Sequence, residues 1–517
     1  MSMLKSMATV SGFTLISRVL GLLREILIGR YLGTGGAADA FVAAFRFPNM
    51  FRRIFGEGAF NSAYVPLFAR ELEETDHAAA EQFACRAFTV LALVLTLGTL
   101  VAIPAMPAIM WVFAHGFIDE PDKFDTTVAL ARIMFSYLLC MALSAHLSGT
   151  LNTLKVFAMP AFAPVLLNIV FITALLFVVP ALGLTGEFRE IGHVISWAVF
   201  IAGFVQLSAL YLTCWRKGIR IRPVTPKITP PIRRLFILMV PGILAAGIQQ
   251  LNLFVGTIIA STQDGALSYL YYSDRIYQLP LGMIGIAFGV VLLPEITRKL
   301  RGGDQAGATG SITRGMDFAM LLTLPAAVAM LVIPVPIIST IFERGEFDAE
   351  STRQTAAALA GFAVGLPGYV LVRVLQPGYF AREDTRRPMI MALITVAVNI
   401  ACSLALFPFL GHVGIAIATA ISAWVNVALL VLGLRGFWRP DSKTLLRLPR
   451  MLLAALLMGA ALWGMHQMTG NWFEGGTLLR ALGLAMLIIA GVAVYFTAAL
   501  VLKATSMQAI KAGFTRR

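Results

Sequence analysis

The residues that could do chemistry crowd into one apolar stretch, Ser11–Arg70, which carries Arg18, Arg24, Glu25, Arg46, Arg52, Arg53 and Glu57. Ionisable groups inside a bilayer cost several kcal/mol unless they face protein or a water-filled cavity, so they mark a site or a pathway. The surplus here is cationic, which suits an anionic cargo. Guanidinium groups bind phosphate through paired, forked hydrogen bonds. Several of them on two consecutive helices read as a clamp for a diphosphate or another polyanion. Three other roles fit the same residues. Arg24–Glu25 and Arg53–Glu57 could be ion pairs that fix helix packing, Asp39 could cap the second helix, and Arg46, Arg52 and Arg53 could snorkel to the interface.

Catalytic patterns do not compete with this reading. The sequence holds no GxSxG, no P-loop, no HExxH and no paired-carboxylate pocket. Cys85, Cys140, Cys214 and Cys402 lie far apart, without CxxC or metal-ligand spacing, and read as buried free thiols. Without a nucleotide motif, any driving force comes from ion gradients, the membrane potential or substrate flux. The chain is read as a non-enzyme with no cofactor and no metal.

The elements that position these residues are membrane helices. Of 517 residues, 58% are apolar and 13% charged, and the mean hydropathy is +0.81. Fourteen apolar segments are read, at 6–30, 38–66, 84–113, 127–152, 161–181, 191–214, 232–260, 267–295, 313–341, 354–379, 387–409, 412–434, 446–468 and 479–502. The first is too long and too charged for a signal peptide. One set of alternate connections, with the termini, holds 27 Lys and Arg and the opposite set holds 6. By the positive-inside rule both termini are cytoplasmic. The same asymmetry accounts for the net charge of +14 without nucleic acid, and basic loops of this kind favour anionic membrane lipids.

The longest basic, Pro-rich connection, Arg216–Arg234, reads as a linker between lobes. A shift of 228 residues lays Ala38–Pro66 on Ala266–Pro294, and Gly192-His193-Val194 resembles Gly411-His412-Val413. These matches suggest a six-plus-six duplication with both copies in one orientation. The expected division is an N-lobe at 1–217, a linker at 218–234, a C-lobe at 235–440 and an appendage at 441–517. On a helical wheel, Ser11, Thr14, Arg18, Gly21 and Glu25 share one side of helix 1, with Ser17 and Arg24 beside it. Asp39, Arg46, Arg53 and Glu57 form a stripe on helix 2, with Asn49 near its edge and Arg52 further round. In the second half Arg275, preceded by Asp274, stands out, and Arg373 is a further intramembrane cation.

Three runs carry a resemblance: SRVLGLLREILIGRYLG (17–33), ADAFVAAFRFPNMFRRIFGEGAFNSAYVPLFA (38–69) and SDRIYQLPLGMIGIAFGVVLLPEI (273–296). The chain resembles, over its whole length, the MurJ (MviN) lipid II flippases of the MOP exporter superfamily. The resemblance implies an all-α integral membrane fold of 14 transmembrane helices. Two six-helix lobes are related by a pseudo-twofold along the membrane normal, and helices 13 and 14 form a groove for the lipid tail. It implies alternating access that carries undecaprenyl-diphosphate-linked disaccharide-pentapeptide from the inner to the outer leaflet of the bacterial cytoplasmic membrane, for peptidoglycan synthesis.

Carried over residue by residue, the resemblance places substrate-binding arginines at Arg18, Arg24, Arg52 and Arg275, and acidic positions at Glu25, Asp39 and Glu57. It prefers Arg52 where the wheel prefers Arg53, and Pro48 and Gly56 make a regular helix doubtful there. Ser17, Asn49 and Arg53 complete the expected cavity lining. Some family members hold sodium with carboxylates in helices 7 and 11. The polar residues near those positions here, Gln249, Asn252, Asn399 and Ser403, are uncharged, which tells against sodium coupling. Coupling to membrane potential or to a monovalent cation through Asn252, Asn399 and Ser403 is the remaining expectation. Expected partners are lipid II, membrane lipids and the cell-wall synthesis machinery, with the protein a monomer. Two other readings fit the class: an exporter of another lipid-linked oligosaccharide or a drug, and a scaffold that recruits cell-wall enzymes.

Overall fold

The structure is a computed structural model and describes residues 3–52, 60–74, 76–184 and 186–505. Among the described residues every regular element is a helix. In chain order they are α1 (Met3–Leu32), α2 (Gly36–Arg52), α3 (Phe60–Glu74), α4 (His77–Phe113), α5 (Pro121–Phe135), α6 (Tyr137–Thr153), α7 (Ala158–Thr173), α8 (Val179–Ala181) and α9 (Phe188–Arg216). Then follow α10 (Pro230–Ser261), α11 (Ala266–Arg301), α12 (Gln305–Val332), α13 (Pro334–Phe342), α14 (Ala349–Ala363), α15 (Leu366–Phe380), α16 (Arg386–Leu410), α17 (His412–Leu434), α18 (Ser442–Glu474) and α19 (Thr477–Val501).

Each of the fourteen apolar segments contains helix, but several are divided. The segment at 313–341 breaks at Ile333, where Pro334 opens α13 in the first turn, a position that tolerates its missing N–H. The segment at 127–152 breaks at Ser136 and that at 354–379 at Val364-Gly365. Among the described residues, eleven helices or helix pairs are long and apolar enough to cross a membrane. The three segments outside that set are those at α1, α2–α3 and α11, where the sequence places Arg18, Arg24, Arg52 and Arg275.

Local chemistry sets the helix ends. Asp76, Asp304, Asp348 and Asp441 each stand at a helix N-cap and accept from a backbone N–H in the first turn, at 2.7–2.8 Å. Four of the 27 acidic residues are thus used in capping. Asp348 lies just outside the apolar span that follows it, and the Ser351 backbone N–H holds its carboxyl below the usual range. Beyond α1, Gly33 takes φ +60. A Cβ there would fall 2.4 Å from the Glu346 carbonyl oxygen, so only glycine fits.

Contacts divide the chain into two compact units, Met1–Ser268 with Gly345–Phe347, and Tyr269–Arg344 with Asp348–Arg517. In the first unit α1 packs on α7, α2 on α5, α7 and α6 on α9, and α10 on α3 and α4. Its core is aromatic: Tyr64 stacks on Phe60, Phe68 and Phe83, and its hydroxyl meets Thr150 Oγ1 at 2.8 Å. His146 is fully buried against the same rings. The Arg220–Val224 backbone of the basic linker lies along α4, held by Cys85 Sγ and Thr89 Oγ1.

In the second unit α16 pairs with α17, and α12 packs on α15 and α18. Tyr379 Oη donates to the Leu430 carbonyl and Tyr495 Oη to the Leu321 carbonyl, the latter fixing α19 to α12. Arg447–Asp317 at 3.0 Å and Arg480–Glu343 at 3.0 Å tie α18 and α19 to the rest of the unit.

One close approach in the first unit is testable. Gly116 donates its N–H to Ser261 Oγ at 3.0 Å, and a Cβ there would lie 2.3 Å from the Ser261 carbonyl oxygen. Backbone atoms cannot step aside, so Gly116→Ala is expected to cost about 1–3 kcal/mol, read as a lower melting temperature of the purified protein. Gly98→Ala, where nothing lies within 4 Å of the added Cβ, is the control and should not destabilise.

Candidate functional site

The first unit gathers Arg24, Glu25 and Ser17 around one residue that the sequence reading missed, Asn168 of α7. Arg24 Nη2 donates to Glu25 Oε1 at 2.5 Å and Nη1 to Asn168 Oδ1 at 2.9 Å. The guanidinium carbon lies 5.2 Å from the centre of the Phe171 ring, one helical turn further along α7. Asn168 in turn donates through Nδ2 to the Ser17 carbonyl at 2.9 Å. The Arg24 side chain is only 11% exposed and that of Glu25 3%. A guanidinium stays charged at any physiological pH, and a planar group fixed by a carboxylate, an amide and a ring face is pre-organised for an oxyanion. Its Nε is buried and has no acceptor among the described residues. An unmade bond of this kind costs about 1–3 kcal/mol, which an arriving phosphate oxygen would remove.

Asn168 carried a signal in the sequence. It is the lone strongly polar residue in Ala163–Thr173, an otherwise apolar run, and an amide buried in such a run needs a partner. Which partner depends on the packing of α7 against α1, and spacing along the chain does not reveal it.

The other candidate residues make different contacts. Arg52 Nε donates to Asn49 Oδ1 at 2.7 Å, both residues half-buried near the end of α2. Arg46 Nη1 donates to Thr257 Oγ1 of α10 at 3.3 Å. Arg18 is half-buried on α1. Arg53 and Glu57 lie outside the described residues. Arg275 is in the second unit, half-buried, with its guanidinium carbon 4.6 Å from the Tyr271 ring centre. Arg373 of α15 is exposed. Asn399 and Ser403 are buried in the second unit, where Asn399 Nδ2 donates to Ser422 Oγ at 3.1 Å and Ser403 Oγ donates to Asn399 Oδ1 at 3.5 Å. Asn252 belongs to the first unit, half-buried on α10. Among the described residues no cluster of His, Cys, Asp and Glu could hold a metal ion.

Asp39 sits in a different construction. It is 0% exposed in the first turn of α2. It accepts the N–H of Gly265 and the N–H and hydroxyl of Ser268, each at 2.8 Å. Lys123 of α5 approaches it at 3.5 Å and reaches Asp264 at 2.7 Å. Lys123 is counted in the sequence as a loop cation, yet its side chain is 4% exposed and lies 4.5 Å over the Phe117 ring. The cluster fastens the start of α2 to α5 and to the α10–α11 connection.

Comparison with known proteins supports one family throughout. The profile described as "Lipid II flippase MurJ" matches residues 28–483. The chain is 45% identical over 521 aligned residues to the probable lipid II flippase MurJ of Rhizobium meliloti (strain 1021), covering 100% of this chain and 97% of that protein. It is 34% identical to the lipid II flippase MurJ of Burkholderia cenocepacia, with 96% of each covered. Its fold is similar to a solved lipid II flippase MurJ in an inward closed conformation, with a TM-score of 0.78 at 23% identity over 95% of this chain and 98% of that one. A multidrug resistance MATE transporter of the MOP superfamily in an inward-facing conformation shares the fold more distantly, with a TM-score of 0.67 at 15% identity, covering 83% of this chain and 97% of that one. On full-length identity of this order, the chain belongs to the lipid II flippase MurJ family.

Proposed function

We propose that this protein translocates lipid II, the undecaprenyl-diphosphate-linked disaccharide-pentapeptide, from the inner to the outer leaflet of the bacterial cytoplasmic membrane. The observation that carries the proposal is Arg24, a charged group only 11% exposed in an apolar helix bundle. It is held by Glu25, Asn168 and Phe171 with one N–H unspent, in a chain of this family. Arg24, Arg18 and Arg52 of the first unit bind the diphosphate, and Arg275 of the second unit is assigned the same chemistry. Glu25 keeps the Arg24 fork in place and limits its affinity, so that cargo can leave. Transport runs by alternating access of an N-lobe (1–217) and a C-lobe (235–440), joined by the basic linker at 218–234.

Fourteen spans, counted from the apolar segments, and cytoplasmic termini, from the charge asymmetry of the connections, complete the topology. The prenyl tail rides beside α18 and α19 while the headgroup crosses. The protein acts as a monomer alongside the cell-wall synthesis machinery. Displacing cavity charges within the field couples transport to membrane potential at about 2.3 kcal/mol per charge per 100 mV. The uncharged Asn252, Asn399 and Ser403 would offer a monovalent cation only neutral ligands.

The test is complementation. In cells depleted of their own flippase, the wild-type chain is expected to restore growth and lipid II exposure on the outer leaflet. Arg275→Ala, inserted at the wild-type level, is expected to restore neither. Full exposure with Arg275→Ala would remove that residue from the clamp. Failure of the wild-type chain, with extrusion of cationic drugs instead, would reassign the cargo.

A further inference from the structure

A cavity of about 940 Å³ opens on the flank of the first unit, between the α7–α8 region and α9. It is separate from the Arg24 site in its lining, and its size is at the upper end of the range of small-molecule pockets, roughly 300–1,000 Å³. One wall is a single stripe of α9 at four-residue spacing: Arg189, His193, Trp197 and Ile201. Along that stripe the chemistry grades from cation to imidazole to indole to aliphatic. The opposite wall is apolar, with Val170, Ala174, Val178 and Leu182 among its residues. It includes a widened turn of π-helix at Ala174–Val178, an irregularity frequent at functional sites. From Arg189 to Ile201 the stripe spans about 18 Å at 1.5 Å per residue. That approximates one leaflet of a hydrocarbon core about 30 Å thick. Trp197 is 52% exposed and lies about 12 Å along α9 from Arg189 at 1.5 Å per residue, so its ring faces the apolar depth of the groove.

Glu190 stands beside Arg189 at the same mouth. The mouth therefore offers a cation for a phosphate and an anion for an ammonium. We infer that this cavity binds an aminophospholipid, with the phosphate on Arg189, the ammonium on Glu190 and an acyl chain between α9 and the α7–α8 wall. Its placement in the outer leaflet rests on the reading that α9 starts on the extracytoplasmic side. The binding itself does not rest on that reading.

The test uses the purified full chain and native mass spectrometry, with phosphatidylethanolamine and phosphatidylglycerol of identical acyl chains. Wild type is expected to retain phosphatidylethanolamine in preference. Thr173→Trp, which fills the groove from an exposed wall position, should reduce retention of both lipids roughly fivefold or more. Arg189→Ala should do the same. Glu190→Gln should erase the preference while leaving phosphatidylglycerol bound. Ile169→Trp, at a second exposed wall position, replaces Thr173→Trp if that variant melts early. Unchanged retention in the groove-filling and Arg189 variants would overturn the site. An unchanged lipid ratio in Glu190→Gln would overturn the aminophospholipid assignment. Lipid II exposure is not read, so this outcome stands apart from the flippase proposal.

Discussion

Arg24→Ala is expected to reduce outer-leaflet lipid II to the level of flippase-depleted cells and to abolish complementation. The substitution removes the fork aimed at phosphate, but it also strips Glu25, 3% exposed, of its 2.5 Å partner. Removing one member of a buried pair costs about 3–5 kcal/mol, so lost activity in this variant alone could reflect lost protein. The double variant Arg24→Ala/Glu25→Gln separates the two effects, because the orphaned charge goes with the arginine. It is expected to regain most of the thermal stability and membrane abundance and still fail to expose lipid II. Arg24→Lys keeps the charge but has no planar fork, and it should retain partial exposure at best. Transport restored in the double variant would make the Arg24–Glu25 pair a packing device and move the diphosphate elsewhere.

The second large effect is expected at Asp39. It accepts three hydrogen bonds and faces Lys123 at 0% exposure, so Asp39→Ala leaves the Gly265 and Ser268 N–H groups without their acceptor and the Lys123 ammonium without its buried partner. A loss of about 3–5 kcal/mol is expected, read as a lower melting temperature of the purified protein. Lys123→Met keeps an unbranched apolar side chain but removes the ammonium that faces Asp39 and lies over the Phe117 ring, so it should also destabilise. The double variant Asp39→Asn/Lys123→Met should destabilise less than the sum of its single changes, because neither buried charge is then left alone. Additive losses would mean that the two residues act separately. Purified Asp39→Asn is expected to bind lipid II as wild type does. A binding defect there, at wild-type stability, would return Asp39 to the cargo site.

The class of this protein, its helices, its cationic surplus and its family are all carried by the sequence. Backbone groups in lipid have to bond within their own segment, so apolar length alone fixes helices, and rare intramembrane charges stand out against that background. Motifs such as RRIFGEGAF identify the family because they are local. Helix breaks at Ser136 and Val364-Gly365 were less legible, since hydropathy reports burial in lipid and says little about the course of the backbone.

Tertiary structure alone decided the partners that lie far apart along the chain. Asn168 lies 144 positions from Arg24 and Asp264 lies 141 from Lys123, and no periodicity along one helix connects such pairs. Glu25, the acidic neighbour of Arg24 in sequence, is also its partner in space. Asp39 and Lys123 read as a cap and a loop charge, and only the meeting of α2, α5 and the α10–α11 connection buries them together. The physical reason is common to both sites: the strength of a charge is set by the groups that exclude water from it, and those groups come from wherever packing brings the chain.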